Sequence, residues 1–530
     1  MERKNGKSTH EGAGKDHAGA GKDEGVRKIL DSYIPVKLSL EDVPLPDRIK
    51  PALPYLKEAM DGVHEIFLSQ QGEKYVGVIH KKMDRPDDLG EFYRRFQGPW
   101  YPVEDYKSYD PDVPDRVPGC SFYPEDMTAE EFRRRAGELE SPTTKVVRGA
   151  GGRLEARHYH AVYAEKLAEV FDALEKASEI LEDQGEPDFA DYLGERAEAL
   201  VSGRYHEADS AWVRLHDVPI ELVLGPYEVY ADALLGLKAM YEGMLMVVDH
   251  GRCGRLKEME EHLEEMSGAF PMPSGAQPAV GGLAPLVVVH QIYSAGEARQ
   301  PIYPAAFNLP NDPWVRGNVG WKQVMLYNVM RAKFDNITVP LARRVMPNFE
   351  EPDFEPFFYE VILHEVSHGL GPAYRADGRK VDSCLGPHYT AIEEAKADTG
   401  GLFFLLEYGG SFGIPRFDHK TIFQGYAAAQ FRSMRFGMHE AHGAAGVIAH
   451  NWMLSCGGFE RTEEGYLVNP DKGRSGIKSL LEELCRLEAQ AEQAEAAAFL
   501  EKWAEPDEQL LETMEKLRSL PVDLFLEFDV

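Results

Sequence analysis

Cysteine is scarce in this chain, with five residues (Cys120, Cys253, Cys384, Cys456 and Cys485) among 530. They are odd in number and far apart, which excludes a disulfide framework and a cysteine-bound zinc site. A reducing, cytoplasmic location is expected. No apolar run of about 18 residues occurs, so no membrane span is expected. The first residues carry no apolar segment of the secretory kind either. Positive charge is in deficit, with Lys+Arg 58 against Asp+Glu 89 and a net charge of −31. Such a field repels nucleic acid and anionic membranes, and it favours cationic ligands such as peptide amino termini.

What is present is an ordinary globular balance, 43 % hydrophobic and 28 % charged. The length suits two to four domain-sized units. Residues 1–25 are polar and repeat HEGAGKD as HAGAGKD, which predicts a disordered tail. Gly6-Lys7-Ser8 lacks the leading glycine and the strand of a phosphate loop. Short helices and Pro-rich turns are expected over 26–156, and a mostly helical stretch over 158–248, where Leu167, Val170, Leu174 and Leu181 recur at helical spacing. The apolar runs at 283–293 and 324–329 read as strands flanking a Pro/Asn loop at 302–314. Helices are expected over 350–460 and 476–520, and an extended ending at PVDLFLEFDV.

The chemistry concentrates at His364-Glu365-Val366-Ser367-His368, an HExxH motif inside an apolar helical run. Positions i and i+4 share a helix face, so both imidazoles can reach one metal, with Glu365 beside the metal's water. EEAKAD, Glu393 to Asp398, follows; Glu394 lies 26 residues after His368 (394 − 368 = 26). Glu394 offers the third ligand of a two-His, one-carboxylate zinc site with an open position. Asp398, one turn on, can orient a ligating histidine. Glu393 can give similar support, or it can close a capping box with Thr390. A second cluster, Met438 to His442 with His450 beyond, reads as a donor to the oxyanion at the zinc, as core histidines, or as a second metal site, for which i, i+3 spacing without a nearby third ligand is a weak signal.

HEVSHG, EEAKAD, FNLPN and EAHG together resemble the dipeptidyl peptidase III family of zinc exopeptidases, in its bacterial form with a short HExxH. The likeness runs in patches through residues 220–520, in the family's order. It implies one Zn²⁺ per chain on His364, His368 and Glu394, with Glu365 as the catalytic carboxylate. Glu228-Val229-Tyr230 is similar to the family's ESY segment, whose Glu takes the substrate amine and whose Tyr aids the transition state. FNLPN matches the family's INIPN and puts two substrate-holding amides at Asn308 and Asn311. AHGAAG resembles the AHMQAR helix, with His442 as the transition-state histidine, and LRSLPV places a substrate-binding arginine at Arg518. Three departures stand out: the family's HExxxH is one residue longer, the loop between His368 and Glu394 is short, and the chain ends soon after Arg518.

The implied fold is α+β and predominantly helical, with two lobes flanking a wide cleft and the zinc on helices of the upper lobe. Residues 26–248, 292–337 and 518–530 would form the mixed α/β substrate-binding lobe, and 249–291 with 338–517 the helical catalytic lobe. The implied reaction is release of amino-terminal dipeptides from short peptides. Residue by residue, blander readings stay open: turn service for Asn308 and Asn311 around Pro310, and a core helical place for Tyr230 beside Tyr227. An aminopeptidase or amide hydrolase of related zinc architecture, or a weakly active peptide-binding protein of the same fold, also fits. The sequence specifies no oligomeric state.

Overall fold

The computed structural model describes residues 24–135, 137–278, 285–350 and 353–530. The predicted tail and Gly6-Lys7-Ser8 lie outside these, except Glu24 and Gly25, which are part of a helix that runs to Asp31. The chain forms two compact units. The first is Met1–Val248, Val289–Lys322 and Asp523–Val530; the second is Asp249–Val288 and Gln323–Val522. Relative to the implied lobes, residues 323–337 and 518–522 fall in the second unit and 289–291 in the first. Aromatic packing explains the largest difference. Tyr327 meets Phe354 and Phe358 at 5.2 and 5.0 Å between ring centres, and Phe334 meets Phe354 and Phe357.

In the first unit, β1 (Tyr33–Ser39) pairs in parallel with the carboxyl-terminal strand β7 (Asp523–Asp529). Helix α1 (Leu53–Gly72) is longer than the prolines suggest, because Pro54 sits in its first turn, where no intrahelical N–H is lost. It buries Leu56, Met60, Val63 and Phe67 at helical spacing. Helices α2 (Ala164–Asp183) and α3 (Pro187–Ser202) follow, and α2 buries the predicted Leu167, Val170, Leu174 and Leu181 against α1.

Five strands make one sheet: β2 (Ile220–Pro226), β3 (Tyr241–Val248), β4 (Leu286–Gly296), β5 (Ala306–Leu309) and β6 (Lys322–Leu326), in the order β2-β3-β4-β6-β5. The helical reading of 158–248 is corrected here. Helix ends at Arg214, and β2 and β3 are continuous apolar runs whose periodicity cannot be told from a buried helix. The strand read at 324–329 stops at Leu326, where a short helix takes over, and the Pro/Asn loop contains β5.

The second unit is helical around α4 (Phe354–His368), α5 (Tyr389–Glu407), α6 (His419–Met434), α7 (Ala441–Cys456) and α8 (Pro470–Gln490). Helix α4 starts at Asp353, whose side chain accepts from the Glu355 N–H, and it buries Phe354, Phe358, Ile362, Leu363 and Val366. Helix α5 packs on α4, α7 and α8. The α4–α5 approach is close because residue 401 is glycine: a Cβ there would lie 2.8 Å from the His364 backbone nitrogen.

His450 of α7 belongs to the core and to no metal site. Its ring is fully buried against Phe431 and Tyr466, with ring centres 5.5 and 4.9 Å away, and neither ring nitrogen has a hydrogen-bond partner. Burial, with Arg461 nearby, holds it at about 3, below the ordinary 6.5. Between those values the unfolded chain binds a proton that the folded chain refuses. Stability is therefore complete above pH 6.5 and falls on acidification through the window, by at most about 1.4 kcal/mol per pH unit. His450→Phe should flatten that part of the decline. Urea titrations at about pH 7.5 and about pH 5 measure it; an undiminished difference between the two would contradict the assignment.

Candidate metal centre and acidic pocket

His364 and His368 stand one turn apart on α4, and α5 supplies an acidic partner to each. His364 Nδ1 lies 2.6 Å from Asp398 Oδ1, and His368 Nδ1 lies 2.9 Å from Glu393 Oε1. Carboxylates accept, so each Nδ1 donates, and each Nε2 is the atom that would offer a lone pair to a metal. The two Nε2 atoms face each other at 3.1 Å, and Glu394 Oε2 stands 3.5 and 3.7 Å from them. Bonds of about 2.0–2.2 Å in a tetrahedron put ligand atoms about 3.3–3.6 Å apart, which brackets the mean of these separations. Glu394 Oε2 is buried, and its one close donor outside the pair is His442 Nδ1 at 3.1 Å. Two Nε2 atoms and a buried carboxylate oxygen brought this close are what a divalent cation would hold together, and the donor set of two imidazoles and one carboxylate suits zinc. Among the described residues this is the group of His, Cys, Asp and Glu side chains placed to hold a metal ion.

The charge around the centre is strongly negative. Burial opposes the His364 imidazolium, yet Asp398, Glu365 and Glu394 together push it up to about 10. Beneath His368, Lys396 is buried and its ammonium sits 2.8 Å from Glu393 Oε1 while donating to the Leu370 carbonyl. Against burial, Lys396 and His368 hold Glu393 down at about 2. Behind them Glu488 is fully buried and held well above the usual carboxylate range, chiefly by burial. The capping box does not form: α5 begins after His388 with no side-chain cap, and Glu393 is engaged by His368 and Lys396. Glu365 is half-buried between the two histidines on α4. His442, at the start of α7, places Nδ1 3.1 Å from Glu394 Oε2, and that contact leads the causes that raise it.

In the first unit, Glu228, Tyr230, Asn308 and Asn311 line one pocket of about 730 Å³. Asn311 Nδ2 donates to Glu228 Oε1 at 3.0 Å and to the Tyr227 carbonyl at 3.3 Å. Tyr230 is not helical: it lies in the β2–β3 loop, 77 % exposed, and Glu228 leads the causes that raise its hydroxyl. Two further carboxyl groups line the pocket. Glu242 on β3 is 6 % exposed, and burial with Glu297 and Glu228 nearby raises it well above the usual range. Glu297 has a buried, unpartnered Oε2, and burial raises it to about 8 despite Arg116.

The model of peptidase family M49 matches residues 138–377. The structure is similar to that of DPP III from Caldithrix abyssi, at 32 % identity and a TM-score of 0.86 over 95 % of this chain and 99 % of that one. This chain belongs to peptidase family M49. Dipeptidyl-peptidase III from Corallococcus sp. strain EGB is also similar, at 29 % identity and a TM-score of 0.72 over 95 % of this chain and 97 % of that one. Among curated proteins, Nudix hydrolase 3 of Arabidopsis thaliana is 29 % identical over 450 residues; the match takes in 77 % of this chain and 57 % of that protein's length. The family match includes α4 but stops short of Glu394, so the third ligand rests on the geometry above.

Arg518 joins neither cluster. It is exposed, pairs with Glu515 at 3.0 Å, and lines a different pocket of about 320 Å³ with Phe436, Met438 and Met514. Sequence reasoning passed over Glu242, Glu297 and Lys396. Glu242 had a usable signal, since it is a lone acid inside the apolar run YEGMLMVV. Replacing Asp398 by Asn should free His364 from its orienting carboxylate and weaken zinc affinity about 10- to 100-fold. Competition with a calibrated chelator measures this, and an unchanged affinity would contradict the pairing.

Proposed function

We propose that this chain is a zinc-dependent peptidase that removes dipeptides from the amino termini of short peptides. The observation that carries the reading is the convergence of the His364 and His368 Nε2 atoms and Glu394 Oε2. His364, His368 and Glu394 would hold the metal. Zinc, when bound, supplies Lewis acidity towards water and the scissile carbonyl. Glu365 accepts the proton of the attacking water and passes it to the leaving amine. Glu228 pairs with the substrate ammonium, and Asn308 and Asn311 hydrogen-bond the first residues of the peptide. Two extended residues span about 7 Å, the interval an amine anchor and a proton acceptor must set between them to count out a dipeptide. The hydroxyl of Tyr230 and the imidazole of His442 donate to the developing oxyanion.

The acid walls formed by Glu228, Glu242 and Glu297 support preference for cationic amino-terminal residues. None of the five cysteines is in a disulfide, which supports a reducing, cytoplasmic setting. No helix among the described residues is long and apolar enough to cross a membrane. Mass spectrometry of products from a defined pentapeptide tests the register. Dipeptide release is expected, and single-residue release would point to an aminopeptidase instead. Glu365→Gln should retain the metal and lose about 10²- to 10⁴-fold in turnover. Undiminished turnover in that variant would remove Glu365 from the reaction.

A further inference from the structure

The β2–β3 loop, residues 227–240, carries Glu228 and Tyr230 yet has almost no regular structure of its own. What orders it is Asp232, 2 % exposed, whose carboxylate accepts five hydrogen bonds. Oδ1 takes the N–H groups of Leu234 and Leu235, both at 3.2 Å. Oδ2 takes the N–H groups of Leu237 and Lys238 at 2.9 and 3.1 Å, and the Tyr123 hydroxyl at 2.7 Å. All five partners are donors, so only an ionised carboxylate satisfies them; an amide would turn an NH₂ group towards backbone N–H groups. The preceding residue is clamped from the same side, since the Ala231 carbonyl accepts from Arg116 Nη2 at 2.9 Å and from Cys120 Sγ at 3.2 Å. Beyond it the buried Lys238 ammonium donates to the Leu139 and Ser141 carbonyls and to Thr144 Oγ1. The Met240 N–H then closes on the Glu228 carbonyl at 2.9 Å.

Tyr230 itself is 77 % exposed and gains little hold from its own packing. Its position, and that of the Glu228 backbone, therefore follow from the atoms that fix residues 231–240. We propose that Asp232, with Tyr123 behind it, is a positioning residue for peptide capture and turnover: it holds the loop so that Glu228 and Tyr230 face the acidic pocket. Asp232 touches no substrate and acts through those two side chains. The inference rests on the peptidase reading, and its test is built to fail separately from it.

Two arms are compared in folded protein of equal zinc content. In the first, kcat/KM for a pentapeptide is measured in wild type, Asp232→Asn, Tyr123→Phe, Tyr230→Phe and the Asp232→Asn/Tyr230→Phe double variant. Asp232→Asn should lose about 10- to 100-fold and Tyr123→Phe about 3- to 10-fold, and Tyr230→Phe should cost far less in the Asp232→Asn background than alone. A merely structural role would instead let the two losses multiply. In the second arm, calorimetry reads peptide affinity in the Glu365→Gln background, with and without Asp232→Asn, and about tenfold weakening is expected. Multiplying losses, or affinity and kcat/KM both within about twofold of the parent, would overturn the proposal. Should Asp232→Asn not fold, Tyr123→Phe decides by the same two arms. If wild type releases no dipeptide, the proposed function falls, and the binding arm still decides the role of Asp232.

Discussion

The hydrogen bonds that tie each α4 histidine to an α5 carboxylate are the constraint on which the metal centre depends. His364 is held by Asp398 and His368 by Glu393, so both rings are locked in one tautomer and aimed at one point. Neither bond could form if the helices stood further apart. Their approach is set by Gly401 against the His364 backbone, and by Gly400, where a Cβ would lie 2.7 Å from Ser367 Oγ. Two small residues thus fix the spacing within which two imidazoles and one carboxylate can share a cation. The buried Lys396 completes the arrangement: it gives Glu393 a permanent counter-charge, so the carboxylate stays ionised although it is almost fully buried.

The first unit answers a different electrostatic problem. Glu228, Glu242 and Glu297 share one pocket, and the repulsion among them, added to burial, pushes Glu242 and Glu297 up towards their neutral forms. A pocket of that kind gains when a cation enters and the carboxyl groups can ionise. Arg116 offsets part of this charge at Glu297 while bracing the loop at Ala231, so one buried guanidinium contributes to both the pocket's potential and the loop's position. Three acidic side chains of this unit thus gather in one pocket.

Local periodicity made much of this legible. The spacing of HExxH put two histidines on one helix face, and the apolar flanks of α4 marked that helix as buried. Separation in sequence hid the rest. Nothing in EEAKAD distinguishes a capping glutamate from one that braces His368; only the docking of α5 on α4 decides it. Tyr230 could be read as helical because β2 and β3, which bracket it, are mostly apolar runs; Gly225-Pro226 at the end of β2 is the break in the helical pattern that the sequence did offer. Asp232 draws four of its five bonds from its own loop and only the fifth from distant Tyr123, while Glu242 stood out as a lone acid whose neighbours Glu297 and Glu228 lie on other elements. Lys396 stood in plain view inside the motif, yet a lysine on a helix ordinarily reads as a solvated charge.

The central claim is that His364, His368 and Glu394 close on a single ion. X-ray absorption fine structure at the zinc edge of the metal-loaded protein tests it most directly, together with metal stoichiometry. The account predicts one zinc per chain with two imidazole nitrogens and carboxylate oxygen at about 2.0–2.2 Å, and loss of a tightly held oxygen shell in Glu394→Ala. Sulfur ligation, a single imidazole, or a spectrum unchanged by Glu394→Ala would contradict it.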